Sequence, residues 1–250
     1  MGPAWTVDLD SLGAREGTWP VHASVACPSA PADAPLLDGE PLVTLGVAVV
    51  VYSRKQATMA WGHASLRTLY CHGGRLVDRE FETYRLSAWN EVQLRHEHAG
   101  EAFLDDPWLR TQRGSLVLFR NDEPVDGAFY AEAQSHNREI YELWLELDQA
   151  DLDGIVLAAE GWRARQLEDL RARVPFEGRY VPWTTNCTAV LRLIPEELHP
   201  SSALPFRWLR ALEDDARERV LHPSVHLVTR WDGDPPAETS RPRPLFRSGR

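Results

Sequence analysis

Leu42-Val43 and the run Gly46-Val47-Ala48-Val49-Val50-Val51-Tyr52 are rich in β-branched residues and flanked by turn residues, which predicts a buried strand. A hairpin is expected next, with arms Met59 to Tyr70 and Arg75 to Leu86 around the turn Cys71-His72-Gly73-Gly74. Leu116 to Arg120 and Tyr141 to Leu147 read as further strands. Between the hairpin and Gly114 runs a long polar excursion through Trp89, His96, His98 and Trp108, and a connection of that length in a compact domain predicts a lid or binding loop. Asp148 is placed to cap a helix to about Leu170, because Leu152, Ile155, Val156, Ala159, Gln166, Leu167 and Leu170 follow helical spacing. Pro175 and Gly178 break the chain, and an aromatic loop with Tyr180, Pro182 and Trp183 leads to Thr184-Thr185-Asn186-Cys187. The apolar stretch Ala189 to Ile194 predicts a short buried helix capped by Thr185 or Asn186, and another helix is expected over Phe206 to Val220.

These elements predict an α+β domain over residues 41–200, with an irregular N-terminal extension over 1–40. A C-terminal helical extension over 201–231 and a disordered tail over 232–250 follow, the tail because Asp232-Gly233-Asp234-Pro235-Pro236 and Arg241-Pro242-Arg243-Pro244 lack apolar periodicity.

The formal charge of −10 argues against a nucleic-acid binder or an anionic-membrane binder, either of which needs a basic stripe. No apolar run approaches the roughly 18 residues of a membrane-spanning helix. The first residues, Met1-Gly2-Pro3-Ala4-Trp5, have neither the positive end nor the apolar run of a secretory signal, so the compartment expected is the cytoplasm, or an exported location reached without a recognisable cleaved signal. Three cysteines, Cys27, Cys71 and Cys187, make a poor disulfide framework and fit a reducing compartment.

Cys187 follows capping residues and precedes an apolar helix, so its sulfur is expected in a first turn, where exposed amides and the helix dipole favour a thiolate. The same amides suit an oxyanion. Trp61-Gly62-His63-Ala64-Ser65-Leu66-Arg67 places a histidine on a strand, and an imidazole has the intrinsic pKa to take a thiol proton near neutrality. Each feature alone also suits a structural role. If the hairpin turn is centred between His72 and Gly73, His63 faces Glu82, whose carboxylate could orient the ring. Glu80 and Tyr84 share that face and take the role if the register slips by two. Tyr180 and Asn186 are candidate oxyanion donors, with loop packing and helix capping as their other readings. Trp61 and Trp183 flank the site and suggest an apolar cleft. His96-Glu97-His98 with Cys71-His72 matches no zinc spacing, so no metal or other cofactor is expected.

Together WGHASLR and YVPWTTNCTAVLRLI resemble the two signatures of the circularly permuted, NlpC-type branch of papain-like thiol enzymes, which includes the lecithin–retinol acyltransferase relatives. The resemblance is closest to a bacterial domain also found in Lnb-type lipoprotein N-acyltransferases, and it covers roughly residues 42–195. It implies a permuted papain-like fold, an antiparallel sheet with the nucleophile-bearing helix packed on it. It also implies a thioester chemistry in which Cys187 is nucleophile and His63 base. The expected substrate is a peptide, amide or acyl compound; a hydrolase is favoured over an acyltransferase. The reading from another class is a scaffold that keeps the fold and binds a partner through residues 87–113.

Overall fold

The computed structural model describes residues 26–53, 62–88, 90–122, 140–176, 178–181, 185–196, 211–216 and 225–229. Their organising element is β2 (Glu40–Tyr52), thirteen residues of which all but the first two are buried. A run of Val and Ala with no alternation of polar residues suits a strand covered on both faces. β1 (Leu36–Leu37) pairs with the start of β2. β3 (His63–His72) and β4 (Arg75–Arg85) form the hairpin, and β5 (Leu116–Asp122), β6 (Ile140–Trp144) and β7 (Val225–Thr229) complete an antiparallel sheet in the order β5-β4-β3-β2-β6-β7. The chain is therefore α+β with an antiparallel sheet. β7 lies in the segment expected to be a helical extension, where residues 211–216 are helical and the sheet nonetheless recruits a strand.

The hairpin register differs from the expected one by two residues. His72 pairs with Arg75 and Leu66 with Phe81, so the turn is Gly73-Gly74, not a turn centred between His72 and Gly73. A two-residue turn matching strand twist needs positive φ at both central positions, and Gly73 and Gly74 adopt 56° and 76°.

One face of the sheet carries α3 (Gln149–Ala172), whose Leu152, Ile155, Val156 and Ala159 pack against Val49, Val51, Leu66, Phe81 and Leu118. Asp148 caps this helix as expected, accepting from the Asp151 amide at 2.9 Å. On the opposite face charges are buried in sets: Arg67, wholly inaccessible, donates to Asp78 at 2.9 and 2.6 Å and to Glu142 at 2.8 Å. A buried guanidinium is tolerable only with such pairing.

The connection expected to be a lid or binding loop is folded and packed. α1 (Glu91–Glu97), a 3-10 turn (Ala102–Asp105) and α2 (Pro107–Thr111) bury Leu94, Phe103, Leu104 and Leu109 against Val117, Phe119 and Leu170. Its apolar residues are too sparse for a strong periodic signal, yet most of the large ones meet in this second core. The outer edge of β5 is closed by side chains. The Gln166 amide both donates to the Leu118 carbonyl and accepts from its N–H, each at 2.8 Å, and Glu97 accepts from the Arg120 amide.

Cys27 and Cys71 form a disulfide, which corrects the expectation of three free thiols; Cys187 is the free cysteine. The bond ties the segment before β1 to the end of β3, so the stretch 26–40 is anchored rather than irregular throughout. Among the described residues no helix is long and apolar enough to cross a membrane.

The disulfide closes a sequence separation of 44 residues. Loop-closure entropy then predicts that Cys27→Ser lowers unfolding stability by about 3–4 kcal/mol. Urea unfolding of the oxidised wild type and the variant measures it, and equal midpoints would exclude the bond from the folded protein.

Candidate active site

The described residues 179–181 and 185 are held by backbone pairing before any side chain is considered. Tyr180 donates its amide to the Gly114 carbonyl at 2.9 Å, and Val181 and Thr185 exchange two hydrogen bonds of 2.8 Å. Asn186 then takes an extended conformation, and its side-chain oxygen accepts from the Thr188 amide and hydroxyl, each at 2.9 Å. Asn186 is thus the cap, the first of its two expected roles. The short helix expected here is a 3-10 helix (Cys187–Leu193), tighter than an α-helix, so the first-turn amides matter here more than a macrodipole. Thr83 of β4 donates its hydroxyl to the carbonyls of Cys187 at 2.9 Å and Asn186 at 3.2 Å. Val190 and Leu191 sink into the α3-side core beside Cys187.

β2 pairs with β3 as far as Tyr52–His63, whereas β3 pairs with β4 only from Leu66–Phe81 onward. The first residues of β3 are therefore held on one side only, and His63 meets Cys187 at this parted end of the sheet. The His63 ring interacts with the Cys187 side chain. Its Nε2 lies 3.1 Å from Glu82 Oε2. Continuing the observed register puts Tyr84 opposite His63, and the two rings stack at 4.7 Å. Glu82 reaches the imidazole diagonally from one pair further along. The expected partner is the observed one, reached through a different register.

All three groups are buried, Cys187 at 7%, His63 at 5% and Glu82 at 6% exposure. Burial by itself would pull the His63 pKa down. The hydrogen bond to Cys187 and its charge, then Glu82, overcome this and push it up to about 10. For Glu82, burial is likewise opposed, by the His63 hydrogen bond and charge and by Asn121 and Tyr84, and its carboxyl is held below the usual range.

Glu80, the first alternative partner, lies on the same face but is engaged by other groups. Tyr52 and Ser65 both donate hydroxyls to its Oε1, and burial together with the Glu82 charge pushes it up to about 7. Tyr180 stands beside Cys187. Burial and the charge of Cys187 raise its phenol to about 12, while the Cys187 N–H, hydrogen-bonded to the phenol oxygen, acts the other way. Trp61 and Trp183 lie outside the described residues.

Of the histidines weighed as ligands, His72 Nε2 lies 2.7 Å from the Leu37 carbonyl, His98 packs edge-on against Phe103, and His96 is exposed. Cys71 is in the disulfide.

Sequence reasoning missed Thr83, Tyr52, Ser65 and Asn121. Ser65 was within reach of period-two alternation from His63, whereas Thr83, next to Glu82, belongs to the other face of β4. Tyr52 and Asn121 come from strands whose register with the hairpin only the fold supplies. No protein-family model, curated protein or solved structure matches this chain.

A group whose folded pKa is raised contributes stability that is complete below its unfolded value and lost as pH rises through the folded one. For His63 that window runs from about 6.5 to about 10. The wild type is expected to lose thermal stability across the upper part of that window, from roughly pH 7 upward. Cys187→Ser, which removes the strongest opposing influence on the ring, should flatten the decline. Parallel pH–melting curves for the two proteins would overturn the assignment.

Proposed function

We propose that this chain is a cysteine-dependent acyl-transfer enzyme, a thiol hydrolase of permuted papain-like fold acting on an amide, peptide or ester carbonyl. The observation that carries the reading is the buried contact of Cys187 with a His63 ring held on its other side by Glu82. A nucleophile, a base within hydrogen-bond reach and a third group orienting that base are the parts such chemistry requires, whatever their order in the chain. The chain order, His63 before Cys187, fits the permuted branch that WGHASLR and TTNCTAVLRLI resemble.

In this mechanism His63 takes the Cys187 proton, and Glu82 supports the resulting imidazolium. The thiolate sulfur bonds to the substrate carbonyl carbon, and the carbonyl π electrons move to oxygen. Tyr180, next to the Cys187 amide, is the described side chain placed to donate to that oxyanion. Asn186, whose side-chain oxygen is committed to the cap, serves by fixing the turn that presents the sulfur. Collapse of the intermediate expels the amine or alcohol, which takes its proton from His63, and leaves a thioester. Water, deprotonated by His63, releases the acid; an amine attacking instead would make the reaction an acyl transfer.

The Cys27–Cys71 bond supports an oxidising compartment for this activity, in place of the reducing one expected from the cysteine count.

Because the other two cysteines are paired, a single alkylation reads out the nucleophile. Wild type treated with a trace of iodoacetamide at neutral pH should gain one adduct on Cys187. His63→Ala is expected to slow this by roughly a hundredfold or more. Equal, slow labelling of both proteins would favour the scaffold reading. An activated acyl ester offered with and without amine acceptors then separates hydrolase from transferase, since product partition independent of acceptor marks the hydrolase.

A further inference from the structure

Helix α1 reaches the His63 site through one carboxamide. Gln93 Nε2 donates to Asn121 Oδ1 at 2.9 Å. That contact leaves the Asn121 Nδ2 end for the carboxylates, and it donates to Glu82 Oε1 at 2.8 Å and to Glu80 Oε2 at 3.4 Å. The remaining oxygen of Glu82 holds His63, and the remaining oxygen of Glu80 takes the hydroxyls of Tyr52 and Ser65. Asn121 sits directly opposite Glu80 in the β4–β5 ladder, so its side chain belongs to the same face by register.

A carboxamide has one accepting end and one donating end, and a carboxylate is compatible only with the donor. With Gln93 occupying the acceptor, the donor is aimed at Glu82. The geometry points to Gln93 and Asn121 as positioning residues for the proposed reaction: Gln93 sets the orientation of the Asn121 amide, and Asn121 holds Glu82 in the position and charge state that keep His63 protonated beside the thiolate. This rests on the Cys187–His63 reading. It gives the folded connection after the hairpin a part in the chemistry rather than in substrate closure.

Each hydrogen bond to a charged carboxylate favours that charge, and a charged Glu82 favours the imidazolium. The groups facing this centre among the described residues are Tyr52 of β2, Glu80, Glu82 and Tyr84 of β4, and Cys187, with Glu97 of α1 acting on Glu82 at longer range. Tyr180 and Arg85 lie on the Cys187 side.

The test is the pH profile of Cys187 alkylation by iodoacetamide, followed by intact mass on the full chain. Asn121→Ala should move the acid limb up by about one pH unit, a roughly tenfold lower rate on that limb, with the alkaline plateau unchanged. Gln93→Ala should move it the same way by a smaller step. Gln93→Glu should move it further than Gln93→Ala, because a carboxylate there draws the Asn121 donor round and turns its oxygen towards Glu82. In the Asn121→Ala background Gln93→Glu should add almost nothing. A Gln93→Glu shift of equal size with and without Asn121 would show a through-space charge effect and overturn the relay. Unmoved profiles in folded variants would do the same. Gln93 is only partly buried, so Gln93→Ala keeps the test decisive if Asn121→Ala fails to fold. Slow alkylation of the wild type at every pH would instead sink the enzymatic reading itself.

Discussion

An imidazole shut away from water gives up its proton unless anions face it, and an anion shut away from water is expensive unless donors face it in turn. His63, between Cys187 and Glu82, satisfies the first condition, and the ring of donors around Glu82 and Glu80 satisfies the second. Much of the fold follows from having to meet both at one point. β2 supplies Tyr52 and holds the start of β3; β4 supplies both carboxylates and pins the Asn186–Cys187 turn through Thr83; β5 supplies the amide between them. The β3–β4 ladder ends before His63, which opens the space in which strand and turn meet. A ladder continued to the end would bring the strands together where the imidazole has to sit.

The same rule explains why so much of the sheet interior is charged. Arg67 is matched by Asp78 and Glu142 and lies over the Trp144 ring at 5.5 Å. On the α3 side, Glu160 takes the Tyr70 hydroxyl at 2.7 Å and is paired with Arg79. Buried ion pairs of this kind contribute little net stability, but breaking one leaves a stranded charge, so they penalise wrong registers far more than they favour the right one. In a hairpin where one residue of slippage exchanges the two faces, that selectivity matters.

Strong local signals were legible in the sequence. The Val-rich run gave β2, Asp148 with its helical period gave α3, and the capping residues before Cys187 located the start of the 3-10 helix. Non-local information was not. The turn centre depended on both glycines taking positive φ, and a preference for a four-residue turn placed it one residue early. Glu82 was still found, because residues two apart on a strand share a face and a carboxylate side chain spans the diagonal. The Cys27–Cys71 pairing was hidden because three cysteines look unpaired until the segment before β1 is folded against β3. The packing of α1 and α2 was hidden because Leu94, Phe103, Leu104 and Leu109 are spread through a polar stretch, and only their meeting with Val117, Phe119 and Leu170 reveals one core.

The closure of the β5 edge has a consequence for how the molecule behaves among its copies. A bare outer strand is a template on which any extended chain can lay down a new ladder, and sheets that end in one are prone to runaway association. At Leu118 both main-chain groups are already engaged by Gln166, which imitates the pairing of a missing neighbour, and one residue pair away Glu97 takes the Arg120 amide. An intruding strand at that border would have to displace two side chains rooted in separate helices before making its first bond. The sheet can thus carry a long, almost wholly apolar central strand while leaving no adhesive rim on that side.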